Sequence, residues 1–472
     1  MNFMLMFDEM ALALIAVMIL LLDFSTGKKK LIPYFYAAAS AALAVIIFLN
    51  RKEGVLFSGA YVYDGIAWFS KIVFLLGSSL CALMSAETAR VKPKYAGAYY
   101  MLLAASTLGM MFLASSRELI TMYVGLELAT ISLYALAAFY KDDDRSHEAG
   151  IKYLILGAAS SGLLLYGISL VYGVTRTTYL DQILFFTSAG VMEPVFIIGV
   201  ILVLLGSAFK LSAVPMHVWT PDVYTGAPTP VTAFISVASK AAGFIFIVRI
   251  FSYGLINAVY VWVPIMAVMA ALTMTIGNLI AIPQKNMKRL IAYSSISQAG
   301  YILVGFVGAS VVGVSSVLFY LLAYTLTNIA VFAAIAAVYR STGSDEIEDY
   351  AGLARRNPML SLVFMLGLLS LAGIPPLAGF VGKFYLFYAA MQKGYLWLVI
   401  LAALNSTVSL YYYLMVLKQV YIRESKPGAL KVDVPLSIKI VLVATILSIL
   451  AIGILPGYFI DTTTDIAQKL YM

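Results

Sequence analysis

The chain has 472 residues, 62% of them hydrophobic and only 11% charged, with a mean hydropathy of +0.95. An ordinary soluble domain holds about 45–50% apolar and about 25% charged residues, so a water-soluble globule is excluded. The net charge of +8 needs no nucleic acid to explain it, because basic loops beside anionic lipid headgroups account for it.

Apolar runs of about 20 residues, each long enough to cross a bilayer, recur from end to end. They predict an all-α polytopic membrane protein of about 14 transmembrane helices, near 10–23, 31–49, 63–85, 96–114, 118–140, 149–173, 190–214, 229–252, 258–282, 291–308, 312–339, 359–390, 396–420 and 436–456. Asp8 and Glu9 precede the first run, where a cleavable signal would carry Lys or Arg, so that run reads as a retained span. The stretch from Thr175 to Gly190 is too polar to span and is expected at the interface or as a loop. With one cysteine, Cys81, and two histidines, His147 and His217, the chain cannot build a disulfide framework, and no haem, zinc or iron–sulfur site is expected. No metal or cofactor is expected to bind in this chain.

Orientation follows from the Lys and Arg residues of alternate loops. The odd loops hold Lys28, Lys29 and Lys30; Arg90, Lys92 and Lys94; Lys141 and Arg145; Lys285, Lys288 and Arg289; Arg340, Arg355 and Arg356; and Arg423, Lys426 and Lys431. The even loops hold only Arg51, Lys52, Arg117, Arg176, Arg249 and Lys393. The odd loops are therefore expected in the cytoplasm, with both termini on the outer face.

Two spans are interrupted in a related way. Leu211-Ser-Ala-Val-Pro215 in span 7 resembles Leu371-Ala-Gly-Ile-Pro375 in span 12, where Pro376 and Gly379 deepen the break. Proline removes a helical hydrogen bond and clashes with the preceding turn, so both helices should break near mid-membrane. Five spans separate the breaks, and units repeating every five spans alternate in orientation, the inverted-repeat plan of secondary transporters. The expected organisation is 1–95 (spans 1–3), 96–253 (first repeat, spans 4–8), 254–422 (second, inverted repeat, spans 9–13) and 423–472 (span 14 and tail).

Lys71, Lys152, Lys210, Lys240 and Lys383 lie well inside apolar runs, together with one acid, Glu127. Buried charges cost a few kcal/mol each at least, so such residues normally face a bundle interior or water and mark a pathway. Five lysines and one central glutamate cannot all be ion-paired. Desolvation penalises an ammonium without a carboxylate, so such a lysine can load and release a proton, and a file of them bridged by water is a proton relay. Lys71, in an early span without a break, reads instead as a snorkelling residue or a lipid contact. His217, two residues past Pro215, has an ordinary pKa of about 6.5 that suits proton transfer. Thr325, Asn328 and the serines of Tyr293-Ser-Ser-Ile-Ser-Gln298 are placed to hold bridging waters.

Four long motifs add to this reading. They are Phe209-Lys-Leu-Ser-Ala-Val-Pro-Met-His-Val-Trp-Thr-Pro-Asp-Val-Tyr-Thr-Gly-Ala-Pro-Thr-Pro230 running on to Ser239-Lys240; Lys288-Arg-Leu-Ile-Ala-Tyr-Ser-Ser-Ile-Ser-Gln-Ala-Gly-Tyr301; Gly125-Leu-Glu-Leu128; and Ala372-Gly-Ile-Pro-Pro-Leu-Ala-Gly-Phe-Val-Gly-Lys-Phe384. From about span 4 to span 13 the chain resembles the proton-translocating antiporter-like membrane subunits of respiratory complex I. The Asp-Val-Tyr-Thr-Gly-Ala-Pro wording and a lysine at position 383 are the pattern of the N-type branch; the M type carries glutamate there. The L type adds a long C-terminal lateral helix, for which a chain ending at Met472 has no room.

The resemblance implies roles, residue by residue. Glu127 matches the key glutamate of span 5, Lys152 a lysine of span 6, Lys210 the lysine of broken span 7, and His217 a histidine of the central hydrophilic axis. Lys240 matches the lysine connecting the halves and Lys383 the release-side lysine; no role carries over to Lys71. It further implies a subunit of a proton-translocating NADH:quinone oxidoreductase in a bacterial or archaeal cytoplasmic membrane. FMN, iron–sulfur clusters and quinone would belong to other subunits. The implied partners are membrane subunits of the M, K, J, L, A and H types, the lateral helix of the L type, and lipid. Two other readings remain: a subunit of a related sodium/proton antiporter or membrane-bound hydrogenase complex, and a stand-alone carrier of a small solute.

Overall fold

A computed structural model describes residues 3–25, 29–190, 193–425 and 431–471; Lys28 and Lys426, counted above, lie outside the described residues. The chain begins with α1 (Phe7–Phe24) and α2 (Ile32–Leu49), a hairpin of β1 (Gly54–Leu56) and β2 (Tyr61–Tyr63), and α3 (Gly65–Thr88). There follow α4 (Ala96–Ala114), α5 (Leu119–Ala137), α6 (Asp144–Thr175), the short α7 (Leu180–Ser188), α8 (Pro194–Leu211), α9 (Trp219–Gly226), α10 (Thr229–Phe234) and α11 (Lys240–Arg249). The remainder holds α12 (Val259–Ala281), α13 (Met287–Val307), α14 (Val311–Thr342), α15 (Leu353–Arg356), α16 (Pro358–Ala372), α17 (Ala378–Gln392), α18 (Leu396–Tyr421), α19 (Leu436–Ile454) and α20 (Pro456–Tyr471).

Among the described residues, thirteen helices are long and apolar enough to span a bilayer, the run Thr229–Gly254 counting as one. The expected fourteenth is the broken one. Its halves α16 and α17 have 15 residues each, a rise of about 22 Å that falls short of the roughly 30 Å hydrocarbon core unless the two act in series. The chain is a multi-pass, helical membrane protein. Its centre is the run Thr229–Gly254 with α13 and α14, which are buried along nearly their whole length.

The fold is all-α as expected, with some details added or corrected. A short hairpin joins α2 to α3, where Val55 pairs with Val62; Phe57 and Ser58 turn it at positive φ without the Asn-Gly or Asp-Gly that normally announces such a turn. The polar stretch after Thr175 contains a helix, α7. The tail is also helical: α20 buries Thr463, Ile466, Ala467 and Leu470 on one face. Arg249, assigned above to an outer loop, is fully buried at the end of α11.

The two breaks share one backbone solution. α8 ends with Ser212 in the left-handed region, where Ala213 N donates to Ala208 O at 2.9 Å. α16 ends with Gly373 in the same region, and Ile374 N donates to Leu369 O at 3.0 Å. These are αL caps, which close a helix while satisfying its last carbonyls. By this geometry Ser212 corresponds to Gly373 and Pro215 to Pro376, one residue out of step with the match read from sequence. Both Val214–Pro215 and Pro375–Pro376 are cis. At the second break a Cβ on Gly379 would stand 1.8 Å from Ser370 O, so only glycine lets the halves meet this closely. At the first, Trp219 bridges the gap, donating from Nε1 to Phe209 O at 3.1 Å, and Thr273 Oγ1 takes the free N–H of Val214 at 3.0 Å.

Candidate functional site

Lys240 sits at the middle of the molecule, 1% exposed, immediately after a π-helical turn at Ile235–Ser239. Such turns displace side chains from the regular helical ladder and recur at functional sites. Its ammonium donates to Ser295 O at 2.7 Å and Ser295 Oγ at 2.5 Å, both on α13. Ser295 Oγ also lies 3.3 Å from Tyr224 OH of α9 and 2.8 Å from Tyr324 OH of α14. Asn328 Nδ2 continues the chain, donating to Tyr324 OH at 3.1 Å and to Ser236 Oγ at 2.8 Å.

A second cluster lies farther along α13. Tyr320 OH donates to Gln298 Oε1 at 2.6 Å, Gln298 Nε2 donates to Leu371 O at 2.9 Å beside the span 12 break, and Ser294 Oγ meets Tyr413 OH at 2.5 Å. Lys383, 3% exposed on α17, donates to Ala372 O and Ser406 Oγ at 3.1 Å each and stands 4.3 Å over the Tyr301 ring. Neither Lys240 nor Lys383 has a carboxylate within ion-pair distance among the described residues. Thr325 Oγ1 is buried without a hydrogen-bond partner among the described residues, an open valence where a water would be held.

In the first half Lys210, 7% exposed at the end of α8, donates to Thr130 Oγ1 of α5. Glu127 accepts from Ser161 Oγ of α6 at 2.5 Å. Two expectations change here. Glu127 is half-buried, next to the exposed Val124 and Leu128, and no ion pair joins it to Lys210 among the described residues; they lie near one another but have separate partners. His217 is half-buried in the break, and its buried Nδ1 has no hydrogen-bond partner among the described residues.

Lys152 lies apart from that row. It is half-exposed, bonded to Glu148 at 2.6 Å and to Asp222 of α9 at 2.7 Å, and Asp222 also meets Arg289 at 3.2 Å. Asp222 thereby ties the helix beyond the break to α6 and α13, a role its place in the motif did not disclose.

Lys71 is no lipid contact. It is fully buried, 2.8 Å from Glu9 and 3.4 Å from Asp8 of α1, with Tyr61 OH at 3.1 Å and the Tyr63 ring at 4.0 Å. The two acids read as preceding the first apolar run lie within α1 and are each 1% exposed. A second pair missed from sequence stands beside it: Arg249 grips Asp64 with both terminal nitrogens, at 2.5 and 2.7 Å, and donates to Ala114 O. Among the described residues no group of three or more His, Cys, Asp or Glu side chains is placed to hold a metal ion.

Residues 116–409 match the family described as NADH:quinone oxidoreductase/Mrp antiporter, transmembrane. The chain belongs to that family. It is 46% identical, over 94% of its own length and 93% of the relative's, to the protein named NADH-quinone oxidoreductase subunit N of Moorella thermoacetica. Among solved structures, a chain of respiratory complex I from Thermus thermophilus with bound aureothin superposes with a TM-score of 0.82 at 32% identity, covering 96% of this chain and 98% of that one. A chain of the Mrp complex from Dietzia sp. superposes with a TM-score of 0.87 at 22% identity, covering 100% and 98%, and shares the fold. The matched span, 116–409, holds Glu127, Lys152, Lys210, His217, Lys240 and Lys383 and leaves Asp8, Glu9 and Lys71 outside.

Proposed function

We propose that this chain is a proton-translocating membrane subunit, of the N type, of a quinone-reducing respiratory complex. It would carry protons outward while electrons pass from NADH to quinone in other subunits through FMN and iron–sulfur centres. The observation that carries the reading is the row of buried lysines, Lys210, Lys240 and Lys383, whose hydrogen bonds go to hydroxyls and carbonyls. An ammonium held by neutral acceptors stays free to give up its proton, whereas one locked to carboxylates does not. The family and the N-type relatives support the same reading over the sodium/proton antiporter alternative.

In this mechanism Glu127 and Lys210 load the first half, with Lys152 at its cytoplasmic mouth and His217 in the break. Lys240 connects the halves and Lys383 releases to the outside. Because Glu127 and Lys210 hold separate partners here, the switch is their approach: pairing favours both charges, and separation lets the proton move on to Lys240. The helix breaks at Pro215, Pro375 and Pro376 allow the halves to shift. The proposed divisions are 1–95, 96–253, 254–422 and 423–472, with both termini outside a bacterial inner membrane. Neighbouring subunits would be of the M, K, J, L, A and H types, with the L-type lateral helix alongside. Glu127→Ala and Lys210→Ala test this: both should lower proton pumping and quinone-coupled turnover in an assembled complex, and normal pumping by both contradicts the assignment.

A further inference from the structure

A polar cavity of about 290 Å³ opens at the cytoplasmic-loop end between the two halves, and none of the expected relay residues lines it. At its wall Lys288 is 5% exposed. Its ammonium lies 3.4 Å from Asp345 Oδ2 and 3.3 Å from Ala227 O. The other oxygen of this carboxylate, Oδ1, is buried without a hydrogen-bond partner among the described residues. The loop is not loose: Met287 N donates to Asp345 O at 2.7 Å, and Ile347 N to Lys285 O at 2.8 Å. A carboxylate with one oxygen free is thus fixed in a polar cavity beside a buried lysine. Most buried polar atoms have a partner, so the free Oδ1 is an open acceptor able to take up a water or a proton.

What lies behind the cavity gives it a direction. Lys288 and Ser295 stand on the same helix, two turns or about 10 Å of rise apart. Ser295 is the partner of Lys240, and Tyr224, which meets Ser295, belongs to the segment whose Ala227 carbonyl holds Lys288. Thr232 Oγ1 lies between, 3.1 Å from Tyr224 O and 3.5 Å from Ala227 O. The other titratable or charged groups facing the cavity are Glu346 of the same loop, Asp143 and Arg145 at the start of α6, Tyr140 before it, and Tyr339 of α14; the buried Tyr350 hydroxyl, itself without a hydrogen-bond partner among the described residues, stands close to Asp345.

We infer that this cavity is a second proton-loading site, through which Asp345 and Lys288 feed Lys240 without passing Glu127 and Lys210. The Asp345 carboxylate takes one proton from cytoplasmic water. Neutralising its carboxylate partner leaves Lys288 held by a carboxylic acid and the Ala227 carbonyl, both neutral, so it can hand its own proton inward, along water between the two turns, to the neutral amine of Lys240 by way of the Ser295 hydroxyl. The Asp345 carboxylic acid then reprotonates Lys288, so each cycle moves one proton and leaves both groups as they began. This rests on the proposed function, since the site matters only if Lys240 carries protons.

The test uses the intact complex in detergent, where no gradient intervenes, and follows quinone-reducing turnover against pH. Asp345→Asn should slow turnover severalfold, with a deficit that widens as pH rises. Asp345→Glu should restore it, and so should added formate, a small acid that can enter the cavity and deliver protons. Ser344→Trp, which plugs the mouth and leaves the ion pair alone, should cause the same loss without formate rescue; it keeps the test open if Asp345→Asn fails to assemble. Normal turnover in both variants, or a loss that ignores pH and formate, overturns the inference and leaves Asp345 as a brace for its loop. Lys240→Met in the same preparation separates the outcomes. If it is impaired while the cavity variants are normal, only this inference fails; if it too is normal, the proposed function fails.

Discussion

The first three spans and the two repeated halves both bury lysines, and they treat them in opposite ways. Lys71 has two carboxylates within 3.4 Å and an aromatic face above it. Lys240 and Lys383 have a serine hydroxyl and a carbonyl each. The first arrangement compensates a charge and fixes it, clasping α1 to α3. The second holds an ammonium by contacts that survive the loss of its proton. Burial alone therefore does not separate the lysines proposed as a relay from Lys71; the partner does.

Lys383 offers the strongest way to break the comparison. Lys383→Arg keeps the positive charge but removes the exchange, since a guanidinium with a pKa above about 12 is neutral in fewer than roughly one molecule in 10⁵ at pH 7. Most pumping should be lost, as it should in Lys383→Met, and normal pumping by the Arg variant would mean that a fixed charge suffices. Lys71→Met should act on stability instead. Removing one partner of a buried pair typically costs about 3–5 kcal/mol, so the assembled complex should be scarcer and melt earlier, and Lys71→Met with Asp8→Asn and Glu9→Gln together should recover part of that loss. Lys152→Met should lower pumping only modestly, because its charge is shared with solvent, Glu148 and Asp222; pumping assays at matched complex content would show it.

The smallest effect belongs to Lys92, fully on the surface. Its hydrogen bond and charge hold the Asp142 carboxyl below the usual carboxylate range. A lowered folded-state pKa stabilises above the ordinary carboxylate range and is lost as pH falls through the lowered value, yet solvent screens an exposed pair almost completely. Lys92→Ala should leave assembly and pumping unchanged from pH 5 to 8.

The sequence disclosed some of this architecture and hid the rest for physical reasons. The helix breaks were legible because Pro215, Pro375 and Pro376 punctuate otherwise continuous apolar runs. Lys210, Lys240 and Lys383 stood out because no loop or span end explains them. Lys71 misled, since its carboxylate partners lie more than 60 residues away, ahead of the first apolar run, and nothing local in span 3 points to them. Glu127 misled in the other direction, because an α5 apolar all round gives no sign of which side faces out. Arg249 was counted with a loop on its charge alone, although it falls inside the expected span 229–252; the helix runs past it through a π-helical turn to Gly254. The α20 helix was legible but missed: Thr463, Ile466, Ala467 and Leu470 follow the helical spacing of one buried face.

The most direct test of the account sets Lys240→Met beside Lys71→Met, two substitutions that remove the same charge from equally buried sites. Proton uptake would be measured in sealed vesicles at matched content of assembled complex. Lys71→Met should pump at nearly the normal rate per complex, and Lys240→Met should lose most of it. Equal impairment of the two would contradict the claim that partner chemistry, rather than burial, decides which lysines carry protons.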